Sequence, residues 1–303
     1  MTVHRLIGSP LAAIIFLVTA GTVSAQTQKE LLDELDRTIE EAESYVSAKE
    51  LRIKTIENTL HSRGVSPERQ YRIYGELFDE YQPFNYGKAV ETLDKQMEIA
   101  MLLGDKSKLN DVYLKEAMLN TAAGEFLEAR NDLARVDTTI FTKEQEIAYC
   151  NVQQRFWFDY DENLKGADKS MLRKVAYYRE RLLALADPSS SLSRYVTVRK
   201  YIDEKYFAQA DFINRHSLSR MDPASHDYAN LAYFQARICE SLNRREEMKN
   251  WFIRSAMADI KTATKDNASL FSLADALFKD GDYARAFKYS SFSLEDAIAF
   301  DAK

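Results

Sequence analysis

Turn formers are scarce in this chain, and that scarcity constrains the fold more than any motif does. Its 303 residues hold 9 glycines and 5 prolines, where average usage would supply about 21 and about 15. A many-stranded sandwich needs a turn signal every few residues, so folds of that kind are disfavoured. Collagen-like and low-complexity classes are excluded for the same reason. Apolar residues make up 46% of the chain, enough for a real core, which argues against disorder. No segment shows convincing period-two alternation, and the chain reads as all-α.

The few breaks are regularly placed. They fall near Pro83, Gly104, Gly124, 137–139, Gly166, 187–191, Lys205, 221–223, Asn243 and Gly281. The clearest unit lies late in the chain: Leu270, Leu273, Ala274 and Leu277, then Gly281-Asp282-Tyr283, then Ala286. It resembles a tetratricopeptide repeat, a helix–turn–helix of about 34 residues. The small Ala274 and Ala286 let two helices approach, Gly281-Asp282 turn the chain, and Tyr283 fills the gap. The frame recurs at Ala117, Gly124, Phe126 and Ala129, and in part at Lys205, Phe207 and Ala210. At Ala236 and Asn243 it recurs with Met248 in place of the close-packing alanine, and Phe84, Tyr86 and Ala89 fit a first unit. A degenerate unit turns near 164–166. The turns are about 38–41 residues apart, which predicts about six helical pairs stacked as an α-solenoid over 65–303. Gly75 alone falls inside a predicted helix, with no turn to explain it.

Two segments precede the array. Residues 1–25 carry Arg5, an apolar run over 11–18 and Val23-Ser24-Ala25 before Gln26, the pattern of a cleaved secretory signal peptide. That predicts an exported protein in an oxidising compartment. Residues 26–64 read as one long helix, about 28–61, with Leu32, Leu35, Ile39, Ala42, Val46, Ile53, Ile56 and Leu60 spaced alternately by three and four. Lys49 breaches the seam. Such a seam serves either a homodimeric coiled coil through 28–61 or packing on the chain's own array. Ser66 as N-cap and Pro67 in the first turn start the next helix. Cys150 and Cys239 sit in non-adjacent units and read as buried free thiols.

Catalytic constellations are absent. There is no glycine-rich phosphate loop, no HExxH pair and no G-x-S-x-G elbow. His216 and His226 flank a break without ligand partners. Asp159, Asp161 and Asn163 open like a calcium loop, but Leu164 stands where glycine is needed and Ser170 where the bidentate glutamate is needed. Asn267-Ala268-Ser269 is a glycosylation sequon read as incidental. A net charge of −6 gives no footprint for nucleic acid. The expectation is a non-enzyme without cofactor or metal.

What remains is surface. Aligning the last three units puts Tyr195, Tyr233 and Phe271 at equivalent first-helix positions, with Arg199, Arg237 and Asp275 one turn on. Either these six line a concave groove that binds a protein or peptide, or the rings are inter-unit packing. Trp157 and Trp251 read as core anchors.

Residues 255–300, SAMADIKTATKDNASLFSLADALFKDGDYARAFKYSSFSLEDAIAF, are more specific than a generic repeat. Ala258-Asp259-Ile260, 263–267 and 293–297 resemble a family of exported bacterial tetratricopeptide proteins. Tyr45, Lys49-Glu50, Ile53 and the 71–81 stretch resemble it too, so the likeness covers nearly all of 26–303. It implies a periplasmic array followed by one membrane helix, a cytoplasmic coiled coil and a helix-turn-helix, the plan of a membrane-spanning transcriptional regulator. The chain stops at Lys303, near where the membrane segment would begin, so the membrane enters only through that missing downstream part. The resemblance implies the sensory half of such a regulator. A free periplasmic scaffold and a glycan-binding helical protein are the alternatives.

Overall fold

A computed structural model describes residues 27–62, 64–165, 169–265 and 268–300. Residues 1–25, Gly166, Asn267 and Lys303, on which some sequence expectations rest, lie outside the described residues. Those residues form fourteen α-helices and no strand. The first two are α1 (Gln28–Glu40) and α2 (Ala42–Leu60). Six pairs follow: α3 (Pro67–Tyr81) with α4 (Tyr86–Leu103), α5 (Lys106–Ala123) with α6 (Phe126–Arg135), and α7 (Lys143–Asn163) with α8 (Lys169–Leu185). Then come α9 (Ser191–Asp203) with α10 (Phe207–Leu218), α11 (His226–Ser241) with α12 (Arg245–Lys261), and α13 (Ala268–Asp280) with α14 (Tyr283–Ala299). This is the all-α tetratricopeptide-like solenoid that the spacing predicts.

Local chemistry explains the boundaries. Side-chain caps open the helices: Ser66 accepts from the Arg69 N–H, Asn85 from Lys88, Ser190 from Ser193 and Ser225 from Tyr228. Thr142 and Gln145 cap each other reciprocally. Turns inside the pairs place one residue in the left-handed region, at Gly124 (φ 79°), Lys165 (64°), Lys205 (62°), Asn243 (58°) and Gly281 (86°). Each ends the first helix of its pair. At Lys205 the geometry is a Schellman motif, with Tyr206 N–H bonded to Tyr201 O at 2.8 Å and Lys205 N–H to Ile202 O at 3.0 Å. Lysine at two of these positions is strained by about 1 kcal/mol relative to glycine. The stacking of the array holds them there. The small residues of the repeat frame are all buried: Ala89, Ala117, Ala129, Ala210, Ala236, Ala274 and Ala286.

The N-terminal segment departs from one long helix. It breaks at Glu41, which caps α1 by donating its N–H to Arg37 O. Leu31, Leu32 and Leu35 of α1 are buried in a core with α12, α13 and α14. Asp36 of α1 accepts from Lys288 Nζ (2.9 Å), Arg285 Nε (3.1 Å) and Tyr289 Oη (3.2 Å) on α14. The second half, α2, packs on α3 through Ile53. Lys49, the breach in the seam, points into that junction: it is buried, pairs with Glu80 at 3.6 Å and lies 5.6 Å from the Phe84 ring centroid. A homodimer through 28–61 therefore loses its basis, because the chain's own array covers the seam.

A second departure concerns the ends. A solenoid unit is expected to touch only its neighbours. Here Lys265 N–H donates to Pro83 O at 2.8 Å and Tyr86 N–H to Phe300 O at 3.2 Å. The rings of Tyr86 and Phe300 meet edge to face at 6.3 Å. With α1 on α12 and α2 on both α3 and α12, the first pair meets the last and the array closes on itself. Cys150 and Cys239 are buried free thiols on α7 and α11. Burial pushes the Cys150 thiol up to about 11, so it is an inert core residue.

Candidate functional site

The six ladder residues do not form one site. Tyr195 is half-buried, its ring 4.9 Å from that of Phe234 on the next unit. Arg199 lies 4.2 Å from the Phe158 centroid and bonds Asp203 at 3.1 Å, so it joins α9 to α7. Tyr233 packs 5.9 Å from Phe252. Tyr195 and Arg199 thus make contacts between units, and Tyr233 packs within its own pair. Arg237, Phe271 and Asp275 do come together, lining a cleft of about 460 Å³ between α11 and α13. There Phe271 is exposed, but Arg237 pairs with Glu240 (2.6 Å) and Asp275 with Lys279 (2.6 Å), so both charges are answered locally. Trp157 and Trp251 are partly buried among rings and cations, Trp157 with Lys174 over its face. Asp159, Asp161 and Asn163 lie within α7, where a helical backbone cannot wrap an ion as a calcium loop does.

A different cleft, of about 740 Å³, opens between α3, α5 and α7, the first helices of three consecutive pairs. Its floor is Gly75, Gln96 and Lys115, and its walls carry Asp79, Asp111 and Gln145. Gln96 is 2% exposed and anchored, its side-chain amide donating to Tyr71 O at 3.0 Å. Lys115 donates to Gln96 Oε1 at 3.4 Å and sits 5.0 Å from the Phe78 centroid. It makes no ion pair among the described residues. Burial holds its ammonium below the ordinary lysine range, opposed by the more distant Asp79 and Asp111. Burial likewise pushes Asp79 up, opposed by Lys115. Asp111 is engaged, accepting from Gln145 Nε2 at 2.6 Å and from Tyr71 Oη at 3.4 Å. Gly75 explains the opening: a Cβ there would stand 3.1 Å from Gln96 Nε2 and 3.6 Å from Lys115 Nζ. The result is a largely apolar cleft with an ammonium at its base, an aromatic face beside it and amides in its walls.

The sequence profile of the SusR N-terminal TPR domain matches residues 39–303. The chain belongs to that family. The match begins at the end of α1, so it takes in α2 and all six pairs of the SusR-type array. None of the curated proteins matches the chain. Tetratricopeptide arrays are protein-interaction folds, and this SusR-type array is an interaction module in that general sense.

The α3–α5–α7 cleft escaped the sequence reading. Lys115 and Asp79 look like ordinary solvated charges on helix faces. The one available signal was Gly75, a helix-interior glycine costing about 1 kcal/mol against alanine with no turn to justify it.

Proposed function

We propose that the SusR-type array binds a protein or peptide through the α3–α5–α7 cleft, without catalysis, and that Lys115 is the anchor. The carrying observation is the Lys115 ammonium: it is largely desolvated, close to a ring, and lacks a carboxylate partner. A carboxylate from a ligand would supply the missing charge, in a place where a charge-assisted bond is worth about 1.5–3 kcal/mol. The Asn151 amide, on the same wall of the cleft, offers a donor to a peptide backbone.

The test is a peptide selected from a random library on the purified array, then titrated against variants. Lys115→Met and Gly75→Leu should each weaken it about ten- to a hundredfold, the first by removing the charge and the second by filling the cleft. Arg237→Ala with Phe271→Ala should leave it unchanged. Equal affinity for Lys115→Met and the parent would end the reading.

The same proposal includes an address. Residues 1–25 would export the chain, and the array would stand in the periplasm as the sensory half of a membrane-linked regulator. The signal-peptide pattern and the resemblance support this. Cell fractionation with N-terminal sequencing checks it: a periplasmic product should begin at Gln26, and a cytoplasmic full-length chain would refute export. A free scaffold shares the cleft, and the coding sequence after Lys303 separates the two by the presence or absence of an apolar span.

A further inference from the structure

The last helix carries an apolar face in register with positions that one unit earlier are covered. Asn243 and Gly281 mark equivalent turns, so α14 follows α12 at an offset of 38 residues. On α12, Lys249, Ala256 and Ile260 are 5%, 2% and 7% exposed, packed under α1 and α13. Their counterparts on α14 are Phe287, Leu294 and Ile298, at 76%, 63% and 70% exposure. Tyr283, 63% exposed, extends the stripe toward the turn, and Phe278 backs it with an edge-to-face contact at 5.2 Å. The face thus continues the stacking interface of the array beyond its last unit. Terminal units of a solenoid ordinarily present a polar outer face. A contiguous apolar one marks an interaction surface.

We propose that this face pairs with itself in a second copy of the chain, α14 antiparallel to α14. The stripe has the symmetry that such pairing needs. It is centred on Ser290-Ser291: Leu294 lies as far beyond that pair as Phe287 lies before it, and Ile298 as far beyond as Tyr283 before. All lie on one face of the helix, since steps of three and four residues return to the same side. In a two-fold dimer each residue meets its mirror position, so Phe287 packs on Leu294 of the other copy and Tyr283 on Ile298. The two serines fall at the axis, where small side chains let the helices approach. The other end of the array is closed to such stacking, because α2 already covers α3. The pairing leaves α1 and α2 on their own array, and it is independent of the α3–α5–α7 cleft.

Sedimentation equilibrium of the purified chain at 1–100 µM, on the order of concentrations at which specific homodimers form, reads the proposal directly. The expected mass is twice the 34.9 kDa of one chain. Phe287→Glu with Leu294→Glu should return the monomer with unchanged helical circular dichroism, since both side chains are exposed. Ser290→Cys should cross-link between copies under mild oxidation, and Arg130→Cys on α6 should not. The two native cysteines are buried and do not interfere. A monomer at the highest concentration, a dimer that survives the double substitution, or equal cross-linking from the two cysteine sites would each overturn the pairing.

Discussion

At the scale of single residues, the chain keeps groups that cost it stability. Glu116 on α5 is one: burial, then the Asp132 charge, push its carboxyl up to about 7, opposed by the Arg135 guanidinium 3.5 Å from Oε2. The folded state therefore holds a proton that the unfolded state releases above pH 4.5. Stability from this site is full below that pH and is lost as pH rises through 7. Glu116→Gln should leave urea unfolding unchanged at about pH 4.5 and gain about 1–2 kcal/mol at about pH 8. Gly75→Ala separates two effects. Helix propensity favours alanine by about 1 kcal/mol, while its Cβ must displace the anchored Gln96 amide. We expect a near-neutral melting temperature, and a gain approaching the full propensity term would show that Gln96 yields. Lys115→Met should raise the melting temperature while weakening ligand capture about ten- to a hundredfold, because a partly buried ammonium without an ion pair is replaced by an apolar chain of similar length. The charges at such sites were not legible in the sequence, since a lysine on a helix face has the same letter whether water or a ring surrounds it.

At the scale of elements, the legible part was the punctuation. Lys205 and Asn243 could be placed at turns because glycines occupied the equivalent positions elsewhere, and both adopt the left-handed backbone that those turns require. The six pairs followed from that spacing. The N-terminal segment was harder, because a three-four seam has the same pattern whether it meets another chain or its own. Lys49 decided the matter only in three dimensions, where Glu80 and the Phe84 ring receive it. The joint between α1 and the last units gives a test. Leu35 is 0% exposed, so Leu35→Ala should cost about 2–5 kcal/mol. Hydrogen exchange should then rise in α1 and α14 together, whereas loss of protection in α1 alone would show that the Asp36 cluster contributes nothing to holding α14.

At the scale of the whole molecule, no sequence pattern announced that the ends meet. Repeat signals are local, and closure depends on small rotations summed over six pairs. Beyond the bridge made by α1 and α2, the direct seam where the ends meet is slight: two backbone bonds and one ring contact. Its position matters more than its strength. An open spring can absorb a wedge by relaxing at its free end, but a closed hoop has a fixed perimeter. Anything that spreads α3 from α7 must be accommodated elsewhere on the circumference, and the weakest joint lies at 83–86 against 265 and 300. A ligand in the cleft should therefore raise hydrogen exchange at the C-terminal turn of α14, far along the sequence from any atom it touches. In such a hoop the seam acts as a strain gauge.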